Sequence, residues 1–180
     1  LWRFGLAQQV DAQPHIDMRT GRYAQASAAN QRSIEADERY LAQVDAQGAY
    51  RVGYVAHNHH FLWFAATLEG ASAIALEAAR TTGEKTSDPQ LMRTPGFEAM
   101  QNFSLTPLFA DVRFGRWEQI IATPKPADDL PYMQAMWHYA QGMAALGEGR
   151  AAEAKPHHEA LVKAAADPAI EKMMTWDRYS

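Results

Sequence analysis

The chain of 180 residues contains no cysteine, which excludes disulfides, thiolate nucleophiles and thiolate metal sites. It also lacks a long apolar run: the longest, Phe61 to Ala66, is far shorter than the ~20 residues of a membrane-spanning helix. We therefore expect no membrane span. With no basic and apolar leader before it, the first residue, Leu1, indicates a fragment or processed part of a longer chain, and the compartment, cytoplasmic or periplasmic, stays open.

An excess of positive charge and the common enzyme motifs are missing as well. The formal net charge is -4 and the Arg and Lys residues are scattered, so no nucleic-acid partner is expected. The sequence has no Gly-x-Ser-x-Gly elbow, no glycine-rich phosphate loop, no dinucleotide fingerprint and no zinc-protease motif. Nucleophilic and nucleotide chemistry therefore have no support.

The sequence does contain an amphipathic helical pattern along its whole length. Hydrophobic residues make up 47% and charged residues 21%, as in an ordinary globular protein, and the length favours one helical domain over residues 1–180. Apolar residues at three- and four-residue steps predict helices near residues 13–20, 22–44, 56–69, 71–80, 97–114, 116–122, 130–146, 150–166 and 168–174.

The connections are predicted from glycine and proline. Residues 45–55 are predicted as an ordered aromatic loop, and residues 83–96, from Gly83 to Gly96, as the longest connection. Asp128 or Asp129 is expected to cap the helix that starts near Pro131. A helix through Pro156 is tolerated only with a bend.

Four turns share a pattern in which a glycine follows an apolar helix and a small or aliphatic residue comes five positions later. The glycines are Gly21, Gly70, Gly115 and Gly149, spaced 49, 45 and 34 residues apart, and the last spacing equals the tetratricopeptide period. The chain thus resembles the tetratricopeptide-repeat (TPR) family. The resemblance implies an all-α solenoid of stacked antiparallel helix pairs, about four repeats with two irregular insertions.

A closer resemblance is to a poorly characterised group of bacterial TPR proteins. It is carried by four segments of this sequence: Pro14-His15-Ile16 before Gly-Arg-Tyr, His57-Asn58-His59-His60-Phe61-Leu62, Val112-Arg113-Phe114-Gly115-Arg116-Trp117 and Trp137-His138-Tyr139-Ala140. That group has further histidines upstream of the position of His15, where this chain has Gln8 and Asp11. The resemblance brings a fold and little chemistry.

Three histidines form a candidate metal site. His57 and His60 are three residues apart and share a helix face, and His15 lies on the first helix of the preceding repeat, so the three are expected to converge. Asp11 or Asp17 is the candidate oxygen ligand for a divalent transition metal. Histidines at such positions serve more often as polar caps or interface residues than as metal ligands.

Other aromatic, methionine and histidine side chains are predicted to have no functional role. Aromatic and methionine residues at helical spacing are expected in the core: Trp63, Phe64, Trp117, Trp137, Met133, Met136 and Met143. His157 and His158 are expected to face solvent.

Two hypotheses of function follow. The first is a TPR-type scaffold that binds a protein or peptide in its concave groove, with these side chains facing the groove: His15, Arg19, His57, His60, Trp63, Asp111 and His138. The competing hypothesis is a metal-binding protein that holds its metal with His15, His57 and His60. This hypothesis includes a metal-dependent enzyme.

Overall fold

A computed structural model describes residues 13–43 and 55–173, and every regular element in these two ranges is helical. Contacts divide the chain after Lys85 into two compact units. The first holds α1 (residues 13–19), α2 (Tyr23–Leu41), α3 (Val55–Glu69) and α4 (Ser72–Thr86), whose last residue opens the second unit. The second holds a short 3₁₀ turn (Leu91–Arg93), α5 (Ala99–Ser104), α6 (Thr106–Arg113), α7 (Trp117–Ala122), α8 (Pro131–Gly147), α9 (Ala151–Ala165) and α10 (Pro168–Glu171).

The all-α prediction is confirmed for the described residues, whereas one continuous domain and a four-repeat solenoid stay predictions. No helix in the described ranges is long and apolar enough to cross a membrane. The predicted aromatic loop at residues 45–55 falls almost wholly outside the described residues.

The four predicted glycine turns are confirmed and share one backbone geometry. Gly21, Gly70, Gly115 and Gly149 have φ angles of +73°, +85°, +66° and +75°, in the left-handed region that favours glycine. In each turn the glycine N–H donates to the carbonyl three residues earlier. The next residue's N–H donates, at 2.8 to 2.9 Å, to the carbonyl five residues before it. This is the Schellman motif, which satisfies the last carbonyls of a helix.

The residues five positions after these glycines are equivalent too. Each is buried, with an exposed fraction of 7% or less: Ala26, Ala75, Ile120 and Ala154. A small side chain lets the second helix of a turn approach its neighbour closely. The recurring glycine and the recurring small or aliphatic residue therefore mark corresponding positions in four helix–turn–helix segments of the described residues.

In the first unit, α2 packs against α3. The buried face of α2 includes two polar side chains that bond back to their own helix. Asn30 Nδ2 donates to the Ala26 carbonyl at 2.8 Å, and Ser33 Oγ donates to the Ala29 carbonyl at 3.2 Å. Because these groups are satisfied locally, a face of small and polar residues can be buried without a large apolar core.

In the second unit, α8 packs against α6, α7 and α9. The buried centre consists of Leu105, Leu108, Ile120, Ala140 and Ala144. Partly buried side chains surround it, among them the predicted core residues Trp117, Met133 and Met136. The helix that contains Pro156 runs through Ala151–Ala165, as predicted.

Two local predictions are wrong. Gly83 is buried inside α4, so the long connection begins only after Thr86. Leu130, and neither aspartate, is the N-cap of α8. Asp128 accepts a hydrogen bond from Gln134 at 2.8 Å, and the Asp129 carboxylate pairs with both Nε and Nη2 of Arg93, at 2.6 and 2.8 Å.

A third prediction, for Phe64, is also wrong. Its side chain was expected in the core and is 46% exposed. The buried side chains of α3 are Val55, Ala56, Asn58, His59, Leu62, Ala65 and Ala66. Phe64 does not fall on the three- and four-residue spacing of these buried residues, so its side chain points away from the buried face of α3.

Candidate functional site

The structure brings His15 and His57 together in the first unit. Their rings stack with centroids 6.0 Å apart and an angle of 24° between the planes. Phe61, one turn after His57, places its ring edge-on to His15, with centroids 4.3 Å apart. The convergence predicted for His15, His57 and His60 is thus seen for His15 and His57, and it stays a prediction for His60.

His60 lies on the same side of α3 as His57. Burial, and then the nearby His57, lower the pKa of His60 from 6.5 to about 4, so its imidazole is neutral at pH 7. Its ring contacts the indole of Trp63, with centroids 5.1 Å apart. The Trp63 indole N–H is buried and finds no hydrogen-bond partner among the residues that the structure describes. A neutral imidazole and an unsatisfied donor therefore lie side by side on this helix.

These contacts do not make up a complete metal site. Within residues 13–43 and 55–173, no group of three or more His, Asp or Glu side chains is placed to hold a metal ion. Asp17, one candidate oxygen ligand, is buried and pairs with Arg22 at 2.8 Å. Asp11, the other, lies outside the described residues. Metal binding by His15, His57 and His60 therefore stays a prediction.

A buried polar pair in the same unit was not predicted. Asn58 Nδ2 donates to the Asp37 carboxylate at 2.8 Å and links α2 to α3. His59 is also buried, and burial first, then Lys85, lower its pKa to about 4, although Asp37 and Glu77 act in the opposite direction. One signal for the pair is present in the sequence, since Asp37 recurs at the helical spacing of the apolar face of α2.

The second unit contains an open pocket of about 320 Å³. Its walls come from α5, α6, α8 and the connection at residues 123–126 between α7 and α8. The lining residues are Ser104, Leu105, Pro107, Leu108, Asp111, Thr123, Pro124, Lys125, Pro126, Met133 and Trp137. The lining is mainly apolar, with one anionic and one cationic side chain, which is the composition typical of small binding sites.

The wall formed by residues 123–126 is fixed to α8. The Trp137 indole N–H donates to the Thr123 carbonyl at 2.9 Å, and Gln134 Nε2 donates to the Pro126 carbonyl at 3.2 Å. Pro124 and Pro126 have restricted backbones. The connection is therefore an ordered wall of the pocket. This wall was not predicted, although the two prolines of Thr-Pro-Lys-Pro are a sequence signal for a rigid connection.

Asp111, a predicted groove residue, lines this pocket and also belongs to a turn. Its carboxylate accepts a hydrogen bond from Arg116 at 3.0 Å, five residues later, just as Asp17 pairs with Arg22 at the first turn. Burial raises the pKa of Asp111, while Arg116 acts to lower it. Lys125 is the other charged group of the pocket, and it contacts Asp128 at 3.5 Å with its side chain 48% exposed. A ligand can reach both charges.

His138, the last predicted groove residue, contacts His157 of α9. The two Nδ1 atoms are 2.9 Å apart, and the ring of Trp137 stands edge-on to both imidazoles, with centroids 5.0 and 5.7 Å away. His157 is half-buried, which corrects its predicted exposure, whereas His158 is exposed as expected. The correction arises because α8 and α9 approach closely at Gly142, where the missing side chain makes room for His157.

The remaining groove prediction, Arg19, is exposed on α1. Arg19 and Trp63 lie in the first unit, and Asp111 and His138 in the second. That all four face one groove stays a prediction.

No family model, curated protein or solved structure matches the chain.

Proposed function

We propose that the protein is a TPR-type scaffold that binds a protein or peptide segment, and that the pocket of the second unit is part of its groove. The observation that carries this proposal is the pocket itself, about 320 Å³ of open volume lined by apolar side chains with Asp111 and Lys125 among them. A volume of this size takes one or two side chains of a peptide and leaves its backbone outside.

The four equivalent turns support the proposal. Four turns have the same hydrogen bonds and the same buried position five residues after the glycine. In repeat proteins, stacked helix pairs create extended concave surfaces that are used for binding. The chemistry of the pocket favours a peptide with an aliphatic or aromatic side chain next to a carboxylate that can reach Lys125.

The test begins with selection of peptides from a random display library on the purified chain. We expect the selected peptides to combine apolar and acidic residues and to bind Lys125→Glu at least about tenfold more weakly than wild type. Lys155→Glu is the matched control, because Lys155 is 78% exposed on α9 and outside the pocket. Equal loss of affinity in both variants, or no selected peptide at all, would contradict the proposal.

Metal binding in the first unit is the second candidate function, and the His15 and His57 stack favours it. Its test is thermal unfolding with added zinc. A metal that binds only the native state raises the melting temperature, and His57→Ala should abolish the rise. A melting temperature of wild type that zinc leaves unchanged would exclude this candidate.

A further inference from the structure

The two imidazoles that meet between α8 and α9 take no part in the peptide-binding pocket. His138 Nδ1 and His157 Nδ1 are 2.9 Å apart, the ring centroids are 5.2 Å apart, and the ring planes are inclined by 49°. Two N–H groups cannot face each other at that distance, so at least one of the Nδ1 atoms presents a lone pair to the other. When both neutral rings carry their proton on Nε2, both lone pairs point into the same gap.

The two histidines are held in place by the helices that carry them. A Cβ added to Gly142 of α8 would lie 3.4 Å from the Cβ of His157, so the backbones are already in close approach. Trp137 touches both rings, and its own indole N–H is bonded to the Thr123 carbonyl at 2.9 Å. The two Nδ1 atoms are therefore held close together before any ligand binds.

We propose that His138 and His157 form a bidentate site for a divalent transition metal, with Cu²⁺ as the preferred ion. Imidazole nitrogens bind such metals at about 2.0 to 2.1 Å. Two nitrogens 2.9 Å apart then subtend an angle of about 90° at the metal, the angle between neighbouring ligands of a square-planar or tetragonal ion. A tetrahedral zinc ion would require a separation of about 3.3 Å.

Binding requires no change of charge on the protein. The proton shared by the two Nδ1 atoms moves to Nε2 of its own ring, and each Nδ1 donates an electron pair to the metal. Among the described residues no third His, Asp or Glu is placed to join the pair. The other coordination positions are therefore filled by water or by an exchangeable ligand, and the site is open. Copper is also the ion that the usual order of divalent affinities favours.

The experiment uses the full chain titrated with copper sulfate and followed by calorimetry and electron paramagnetic resonance. We expect one Cu²⁺ with nitrogen hyperfine structure, and a loss of affinity of about tenfold or more in His138→Ala and in His157→Ala. His158→Ala is the matched control, because its imidazole is exposed and lies next to His157 in sequence. It should bind copper like wild type.

Two further measurements make the result decisive. In wild-type protein, substoichiometric Cu²⁺ should broaden the ring resonances of His138 and His157 before those of other histidines, a readout that needs no variant to fold. His57→Ala should leave this copper site unchanged, which separates it from the metal candidate of the first unit. First broadening at His15 and His57, or affinity that survives in His138→Ala, would overturn the proposal.

Discussion

Replacement of Gly70 by alanine tests the shared turn geometry most cleanly. Gly70 has a φ angle of +85°, and a Cβ placed there would meet no atom within 4 Å. The cost of the substitution is therefore backbone strain alone, about 1–2 kcal/mol for a residue with a side chain in the left-handed region. For a chain of this size that free energy lowers the melting temperature by about 2–8 °C. Gly70→Val should cost on the order of 1–3 kcal/mol, since a β-branched residue is more strained there.

The same chemical change should have the opposite sign inside a helix. Gly142 lies within α8 at an ordinary helical φ, and its added Cβ would make a van der Waals contact of 3.4 Å with the Cβ of His157. Gly142→Ala should therefore raise the free energy of unfolding by up to about 1 kcal/mol, because alanine is the better helix former. Urea denaturation followed by circular dichroism measures both variants. A Gly70→Ala midpoint equal to that of wild type would refute the assigned turn.

Three other substitutions or conditions test the interior. Gly147→Ala should destabilise by about 1–3 kcal/mol in urea denaturation, because its Cβ would overlap the indole of Trp117; unchanged stability would show that the indole is placed otherwise. The pKa values of His59 and His60, lowered to about 4 from 6.5, imply stability that is present above pH 6.5 and lost as pH falls toward 4. Unfolding free energies that are equal at pH 7 and pH 5 would contradict this. Asp111→Asn should not lower stability at pH 7, since folding raises the pKa of Asp111; a clear loss would show that its charge is needed.

The helices and turns could be predicted because their causes are local. A glycine that ends an apolar helix adopts the left-handed conformation of a Schellman turn whatever surrounds it, and Gly21, Gly70, Gly115 and Gly149 all do so. Gly83 shows the limit of that argument. The composition around it predicts a loop, yet it is buried inside α4. Burial depends on the tertiary neighbours, which override the low helix propensity of glycine.

The candidate site could be predicted only in part, for a related reason. His15 and His57 were paired because the order of the helices places α1 beside α3, and the rings do stack. The contact of His138 with His157 depends on the register of α8 against α9, which sequence periodicity does not determine. The same applies to Asp128 and Asp129, which bind Gln134 and Arg93 instead of capping α8. Local capping rules fail where a longer-range partner competes.

The most direct test of the proposed function is the location of a selected peptide on the protein. In ¹⁵N-edited NMR spectra, we expect the peptide to shift the indole N–H of Trp137 and the backbone amides of Thr123 and Lys125, which line the pocket. Shifts confined to residues of the first unit, such as His57 and Phe61, would contradict the account.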